Sequence, residues 1–149
     1  MKNAPHIASA FDRDLDSVRA MITRMGGLVE AAILDAARAL ETGDAELADT
    51  VRKGDASIDL LEAQINEEVA RLIALRSPTA SDLRTVLTAI KIAAALERCG
   101  DYAKNLAKRA ILLAKIPAVG SSAGSIRRMA KAAQLQLKNV LDAYIRGDA

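Results

Sequence analysis

Leu15, Val18, Ile22, Met25, Val29, Ala32, Ala36 and Ala39 recur at alternating three- and four-residue intervals, and the residues between them are mostly polar or small. That spacing lays one apolar stripe along a helix running from about Phe11 to Thr42. Gly26-Gly27 interrupts the stripe at a cost of about 1 kcal/mol per glycine relative to alanine, which predicts a close helix contact or a local bend there. Gly43-Asp44 then reads as a helix stop followed by an N-cap. A second stripe of Leu47, Val51, Ile58, Leu61, Ile65, Leu72 and Leu75 predicts a helix out to about Arg76, with Asp55 and Asp59 beside the stripe, at its edge. Ser77-Pro78-Thr79-Ala80-Ser81 is a short turn in which proline ends one helix and Ser81 caps the next. The third helix, about Asp82 to Ile116, carries Val86, Ile90, Ala93, Ala107, Ile111 and Ala114, and Glu97 and Gly100 occupy places in the same series. Pro117 to Ser125 is a linker, and a fourth helix, about Ile126 to Arg146, has the stripe Ile126, Met129, Ala133, Leu137, Val140 and Tyr144.

Composition agrees with an all-α chain. Of its 149 residues 51 % are apolar, enough for one cored domain, while aromatics are 2 % and prolines number three. The single Cys99 cannot form an intramolecular disulfide, and no leader pattern is visible at the amino terminus, so the chain is expected to be cytoplasmic. No apolar stretch approaches the roughly 20 residues that span a bilayer, which leaves only a peripheral membrane role. The net charge of +2 hides an asymmetry: residues 1–83 carry 9 Lys/Arg against 15 Asp/Glu, and residues 84–149 carry 12 against 4. The basic half lacks the aromatic interleaving of a nucleic-acid site and reads as solvated helix faces.

Glu97 and Asp101 share an i, i+4 spacing on the third helix, as Asp55 and Asp59 do on the second. Such pairs have Cβ atoms about 5–6 Å apart, so the four carboxylates are able to converge between antiparallel helices. Grouped without counter-charge they repel and lose hydration, so the arrangement asks for cations, either Lys/Arg or metal ions. A further pattern is a repeat at an offset of 104 residues. Arg24-Met25, Ala39 and Gly43-Asp44-Ala45 match Arg128-Met129, Ala143 and Gly147-Asp148-Ala149, six identities in 22 positions. The second copy stops where the first begins its next helix, which is expected of a fragment of a longer two-repeat protein.

His6 through Phe11-Asp12, Met25-Gly26, Asp55 to Glu62, Ser77-Pro78-Thr79-Ala80-Ser81-Asp82-Leu83-Arg84 and Leu96 to Asn105 together resemble the PhoU family of regulators of bacterial phosphate uptake. The last two blocks are the specific ones. The resemblance implies two tandem three-helix bundles, each with an acidic E(D)-x-x-x-D pattern. The expected fold is accordingly an antiparallel, up-down-up, spectrin-repeat-like three-helix bundle over residues 1–116, a linker over 117–125, and over 126–149 the first helix of a truncated second repeat. It also implies multinuclear metal binding at Asp55, Asp59, Glu97 and Asp101, with Asn105 as a possible additional ligand. All-oxygen ligands favour hard ions such as Mg²⁺, Mn²⁺, Ca²⁺ or ferric iron. The implied role is non-enzymatic: negative regulation of phosphate uptake and phosphate-starvation signalling, through contacts with the phosphate transporter's ATPase subunit and the phosphate-sensing histidine kinase at the inner membrane. Cys99 departs from the isoleucine usual in the family, and the second bundle's acidic patterns are absent.

Several plainer readings stand beside these. Arg98 and Lys104 flank the acidic residues and would neutralise part of the cluster as a structural ion-pair network. Asp82 and Arg84 read as a helix-start charge and a bundle ion pair, Cys99 as a small apolar residue, and His6 as a terminal residue without a metal role. An enzyme is disfavoured, because no Glu-x-x-His pair, nucleophile with a neighbouring base, or Walker-type phosphate loop is present. The alternative to a metal-binding regulator is a metal-free helical oligomerisation module. The fourth helix's stripe, unburied without a second bundle, is expected either to fold back as a fourth member of the first bundle or to pack against the same helix of another chain; the symmetric homodimer is the preferred outcome, because three helices already close a bundle.

Overall fold

The computed structural model describes residues 4–116 and 122–147, with side chains over 10–116 and 124–147. The His6 side chain and residues 117–121, much of the expected linker, lie outside the described residues. Four helices account for the described chain: α1 (Ala4–Thr42), α2 (Ala45–Arg76), α3 (Ala80–Leu113) and α4 (Ser122–Arg146).

Local chemistry sets the helix ends. Gly43 adopts the left-handed φ of 68° that glycine tolerates, and the Asp44 side chain accepts the Leu47 N–H at 2.9 Å. A cap of this kind stabilises a helix by about 1 kcal/mol. Pro78 disfavours the helical conformation in the residue before it, and Ser77 turns left-handed (φ 45°) while its N–H reaches Ile73 O at 3.1 Å. Three starts and one end differ from the sequence reading. α4 begins at Ser122 rather than near Ile126, so the last residues of the expected linker are helical, and α3 ends at Leu113 rather than Ile116. α1 begins at Ala4 rather than near Phe11, and α3 begins at Ala80 with Thr79, not Ser81, at the cap position. Thr79 has extended backbone directly after the proline, and its hydroxyl donates to Asp82 in the first turn at 2.9 Å. The Arg84 guanidinium is turned to the Ala80 carbonyl.

α1, α2 and α3 each pack against the other two, whereas α4 packs against α1 alone, so the three-helix bundle does leave a place for the fourth helix, against the sequence reading, and Leu141 joins the core there. Arg76 Nε meets Asp14 Oδ2 at 2.9 Å, which ties the end of α2 to the start of α1 and fixes their antiparallel sense. The larger core cluster holds Val18, Ile22, Met25, Val29, Ile65, Val69, Leu72, Val86 and Leu96. A second cluster, near the α1–α2 turn, is built mainly from alanine: Ala36, Ala39, Ala48, Val51, Ala103, Ala107 and Ala110. Small side chains there bring the three helices close together. Each large aliphatic side chain buried in the first cluster contributes about 1.5–3 kcal/mol of transfer free energy.

Three stripes need correction. That of α3 loses Ala114, which is exposed and lies beyond the helix end at Leu113. Leu75, expected in the α2 core, is 63 % exposed, because the core face has rotated past it by the last turn. On α4 the buried residues are Ala130 and Leu141, while Met129 (70 %) and Val140 (66 %) point away from the bundle. The close contact predicted by the glycine pair is found at Gly26, where an added Cβ would overlap the Leu141 side chain; Gly27 faces open space. α4 runs antiparallel to α1, since Arg127 pairs with Glu41 (3.3 Å), Gln134 with Glu30 (2.6 Å), and Leu141 seats over Gly26.

Candidate functional site

The two core clusters leave a polar layer between them. Along α2 the buried positions run Ala48, Val51, Asp55, Ile58, Leu61, and along α3 they run Ala93, Leu96, Gly100, Ala103, Ala107. Asp55 therefore stands within the apolar series of its helix and not at its edge, at 4 % exposure the only buried charged residue among those described. Gly100 makes this possible. A Cβ at that position would lie 3.0 Å from Ile58 Cδ1 and 3.6 Å from Asp55 Oδ1, so the missing side chain is the space into which α2 packs.

A buried carboxylate demands a partner. Lys104, one turn beyond Gly100, supplies it: Nζ donates to Asp55 Oδ2 and lies 3.4 Å from Asp101 Oδ1. The hydrogen bond to Asp55 raises the Lys104 ammonium above the usual lysine range, with burial opposing. Arg98, the other flanking cation, is exposed.

Glu97 does not occupy the core register; Leu96 does, and Glu97 is only partly buried beside it. Its carboxyl is pushed above the ordinary glutamate range, first by burial and then by the neighbouring Asp101, Glu62 and Asp59 charges. Asp59 is exposed and Glu62 partly buried. Asp59, Glu62, Glu97 and Asp101 thus share an acidic face over the α2–α3 seam, and Asp55 and Lys104 sit at one end of it. Asn105 is exposed, and its backbone carbonyl accepts from Arg109 at 3.2 Å. Glu62 was not among the expected ligands, although it follows Asp55 and Asp59 at i+7 and i+3 on one helix face.

The donor set, all carboxylate, has the chemistry of a site for a hard cation. Its arrangement is that of an ion-pair network, and among the described residues no group of three or more His, Cys, Asp or Glu side chains is disposed to hold a metal ion. No helix of the described residues is long and apolar enough to cross a membrane.

The family model described as "PhoU domain" matches residues 22–110, which include α2, most of α3 and the whole acidic layer. The phosphate-specific transport system accessory protein PhoU homolog of Caulobacter vibrioides is 43 % identical over 143 residues, covering 96 % of this chain and 62 % of the relative. That of Rhizobium meliloti is 45 % identical over 139 residues, covering 93 % and 59 %. The crystal structure of PhoU from Pseudomonas aeruginosa superposes with a TM-score of 0.88 at 38 % identity, over 93 % of this chain and 66 % of that one. The chain spans about six tenths of the length of these curated relatives.

Proposed function

The chain belongs to the PhoU family, and from that premise we propose that it is a non-enzymatic regulator of phosphate uptake and phosphate-starvation signalling. The observation that carries this reading is the family match across the three-helix bundle together with its acidic layer. It acts by contact as a negative regulator, on the ATPase subunit of the phosphate transporter and on the phosphate-sensing histidine kinase, from the cytoplasmic face of the inner membrane. The exposed face of α4 around Met129 and Val140 joins two copies in a symmetric homodimer. A pull-down with the tagged chain from phosphate-replete cells is expected to recover one of the two membrane partners. Recovery of neither by folded bait counts against the proposal.

Metal binding is the second part of the proposal. Asp55, Asp59, Glu97 and Asp101 hold a hard cation, Mg²⁺, Mn²⁺, Ca²⁺ or ferric iron, whose charge offsets the burial and, after it, the neighbouring carboxylate charges that raise Glu97. Chelator-treated protein titrated with Mn²⁺ or Fe³⁺ should melt at a higher temperature, since an ion that prefers the folded state stabilises it by mass action. The double change Glu97→Gln and Asp101→Asn should abolish that rise. The competing reading, a metal-free helical module, is favoured by the Asp55–Lys104–Asp101 network, and absence of any metal-dependent rise would select it.

A further inference from the structure

Arg84, Lys91, Arg98 and Arg109 are all exposed on α3, at intervals close to whole helical turns, so they form one straight row about 38 Å long on the side of the helix away from the bundle. Leu87, Tyr102 and Leu112 stand on the same side and are exposed, Tyr102 by 63 %. No carboxylate interrupts the row. Asp82 accepts the Thr79 hydroxyl at the helix start, and Glu97 and Asp101 belong to the seam with α2. α4 packs against α1 alone, so nothing in the described chain covers this side of α3.

Charge pairing sets the row apart from the other helices. Arg19, Arg38, Arg52, Lys53 and Arg71 on α1 and α2 each meet an acid three or four residues earlier on their own helix. On α3, Arg84 and Arg109 turn to backbone carbonyls, and Lys91 and Arg98 have no ion-pair partner among the described residues. From this we propose that the outer side of α3 is a docking surface for an anionic phospholipid bilayer. A long straight row of cations fits a flat surface of negative headgroups, which attracts each Lys or Arg brought near it. Leu87, Tyr102 and Leu112 then settle at headgroup depth, where a tyrosine keeps its ring in apolar surroundings and its hydroxyl in water. The net charge of +2 is too small to draw the whole chain to such a surface, so the row both attracts and orients it. Nucleic acid fits less well, because one tyrosine gives no run of stacking platforms. An acidic protein fits less well too, because cations separate the three apolar side chains that would have to form the dry centre of an interface. The contact needs neither the acidic layer nor the protein partners proposed above.

The test uses the purified full chain, without transporter or kinase, and vesicles of equimolar phosphatidylglycerol and phosphatidylcholine. The chain is expected to sediment with these vesicles at low salt and not with phosphatidylcholine alone, and to be released as salt rises, since the Debye length falls to about 3 Å at about 1 M. Lys91→Glu with Arg98→Glu should weaken binding about tenfold or more, whereas the same change of net charge on α4, Arg128→Glu with Lys131→Glu, should leave it within about twofold. All four of these cations are exposed, so both variants should keep the parent's helical circular dichroism. Tyr102→Trp gives the chain its one tryptophan, whose emission should shift to shorter wavelength on the mixed vesicles. Absence of binding to those vesicles, equal loss from the α4 pair, or unshifted emission from bound protein each overturns the proposal. Row-dependent binding of duplex DNA or of polyglutamate without vesicle binding overturns it as well, and assigns the surface to another polyanion. The regulatory reading is unaffected by any of these results, because its pull-down reads protein partners alone.

Discussion

Glu30 and Gln134 meet across α1 and α4, the Gln134 amide donating to the Glu30 carboxylate at 2.6 Å, and they are 104 residues apart in sequence, the same offset as the internal repeat. In an antiparallel helix pair, repeat-equivalent positions face each other only where a local two-fold axis passes between them. The Gly26–Leu141 contact maps under that operation onto Ala37 and Ala130, and both of these are buried. Gly43 and Gly147, also repeat mates, end their helices with φ of 68° and 71°. The repeat is thus a structural symmetry of α1 with α4.

Leu141 anchors that pairing over the side-chain-free surface of Gly26. Leu141→Ala is expected to weaken the docking of α4 by about 2–3 kcal/mol, seen as faster amide exchange across Ser122–Arg146 with little change in α2. Leu135→Ala, at a position 54 % exposed, should stay within about 0.5 kcal/mol of the parent.

The buried Met25 and Ala36 of α1 correspond to the exposed Met129 and Val140 of α4. Light scattering should accordingly show association of the chain at micromolar concentrations, and Met129→Glu with Val140→Glu should return it to monomer. A parent chain that is monomeric throughout that range would overturn the dimer.

Gly54 and Gly100 lie in helix interiors with opposite surroundings. Nothing lies within 4 Å of an added Cβ at Gly54, so Gly54→Ala should stabilise the fold by about 0.5–1 kcal/mol. At Gly100 the Cβ would press on Ile58 at 3.0 Å and approach Asp55 at 3.6 Å. Gly100→Ala should lose that gain or fall below the parent in a denaturant titration.

Glu97 binds its proton more tightly folded than unfolded, because burial and the Asp101, Glu62 and Asp59 charges raise its carboxyl above the ordinary 4.5. Its ionisation therefore opposes folding. The contribution is absent below the unfolded value and grows as pH rises from 4.5 through the raised folded value. In chelator, Glu97→Gln should melt above the parent at neutral pH, and the difference should close as pH falls towards 4.5. A difference constant with pH would show that neither burial nor the acidic neighbours raise Glu97.

The sequence by itself determined what depends on neighbours along the chain. Asp44 caps α2 because its side chain reaches a backbone N–H three residues on, Pro78 ends α2 by disfavouring the helical conformation at Ser77, and Gly43 stops α1 through its own φ. The count of helices, both limits of α2 and the ends of α1 and α4 were legible for that reason. Helix rotation was not. On α3 the series Val86, Ile90, Ala93, Glu97, Gly100 and the series Val86, Ala89, Ala93, Leu96, Gly100 both alternate three and four, and only packing chose the second. A helix of 3.6 residues per turn drifts by about 20° per heptad against any fixed stripe, and alanine is too small to impose a phase. The tertiary structure therefore decided that Leu96 enters the core with Glu97 beside it, that Asp55 is buried, that α4 presents Ala130 and Leu141 to α1, and that Lys104 is the cation meeting Asp55. Each of these relationships joins residues on different helices or depends on a helix's rotation against its neighbours, which local spacing does not encode.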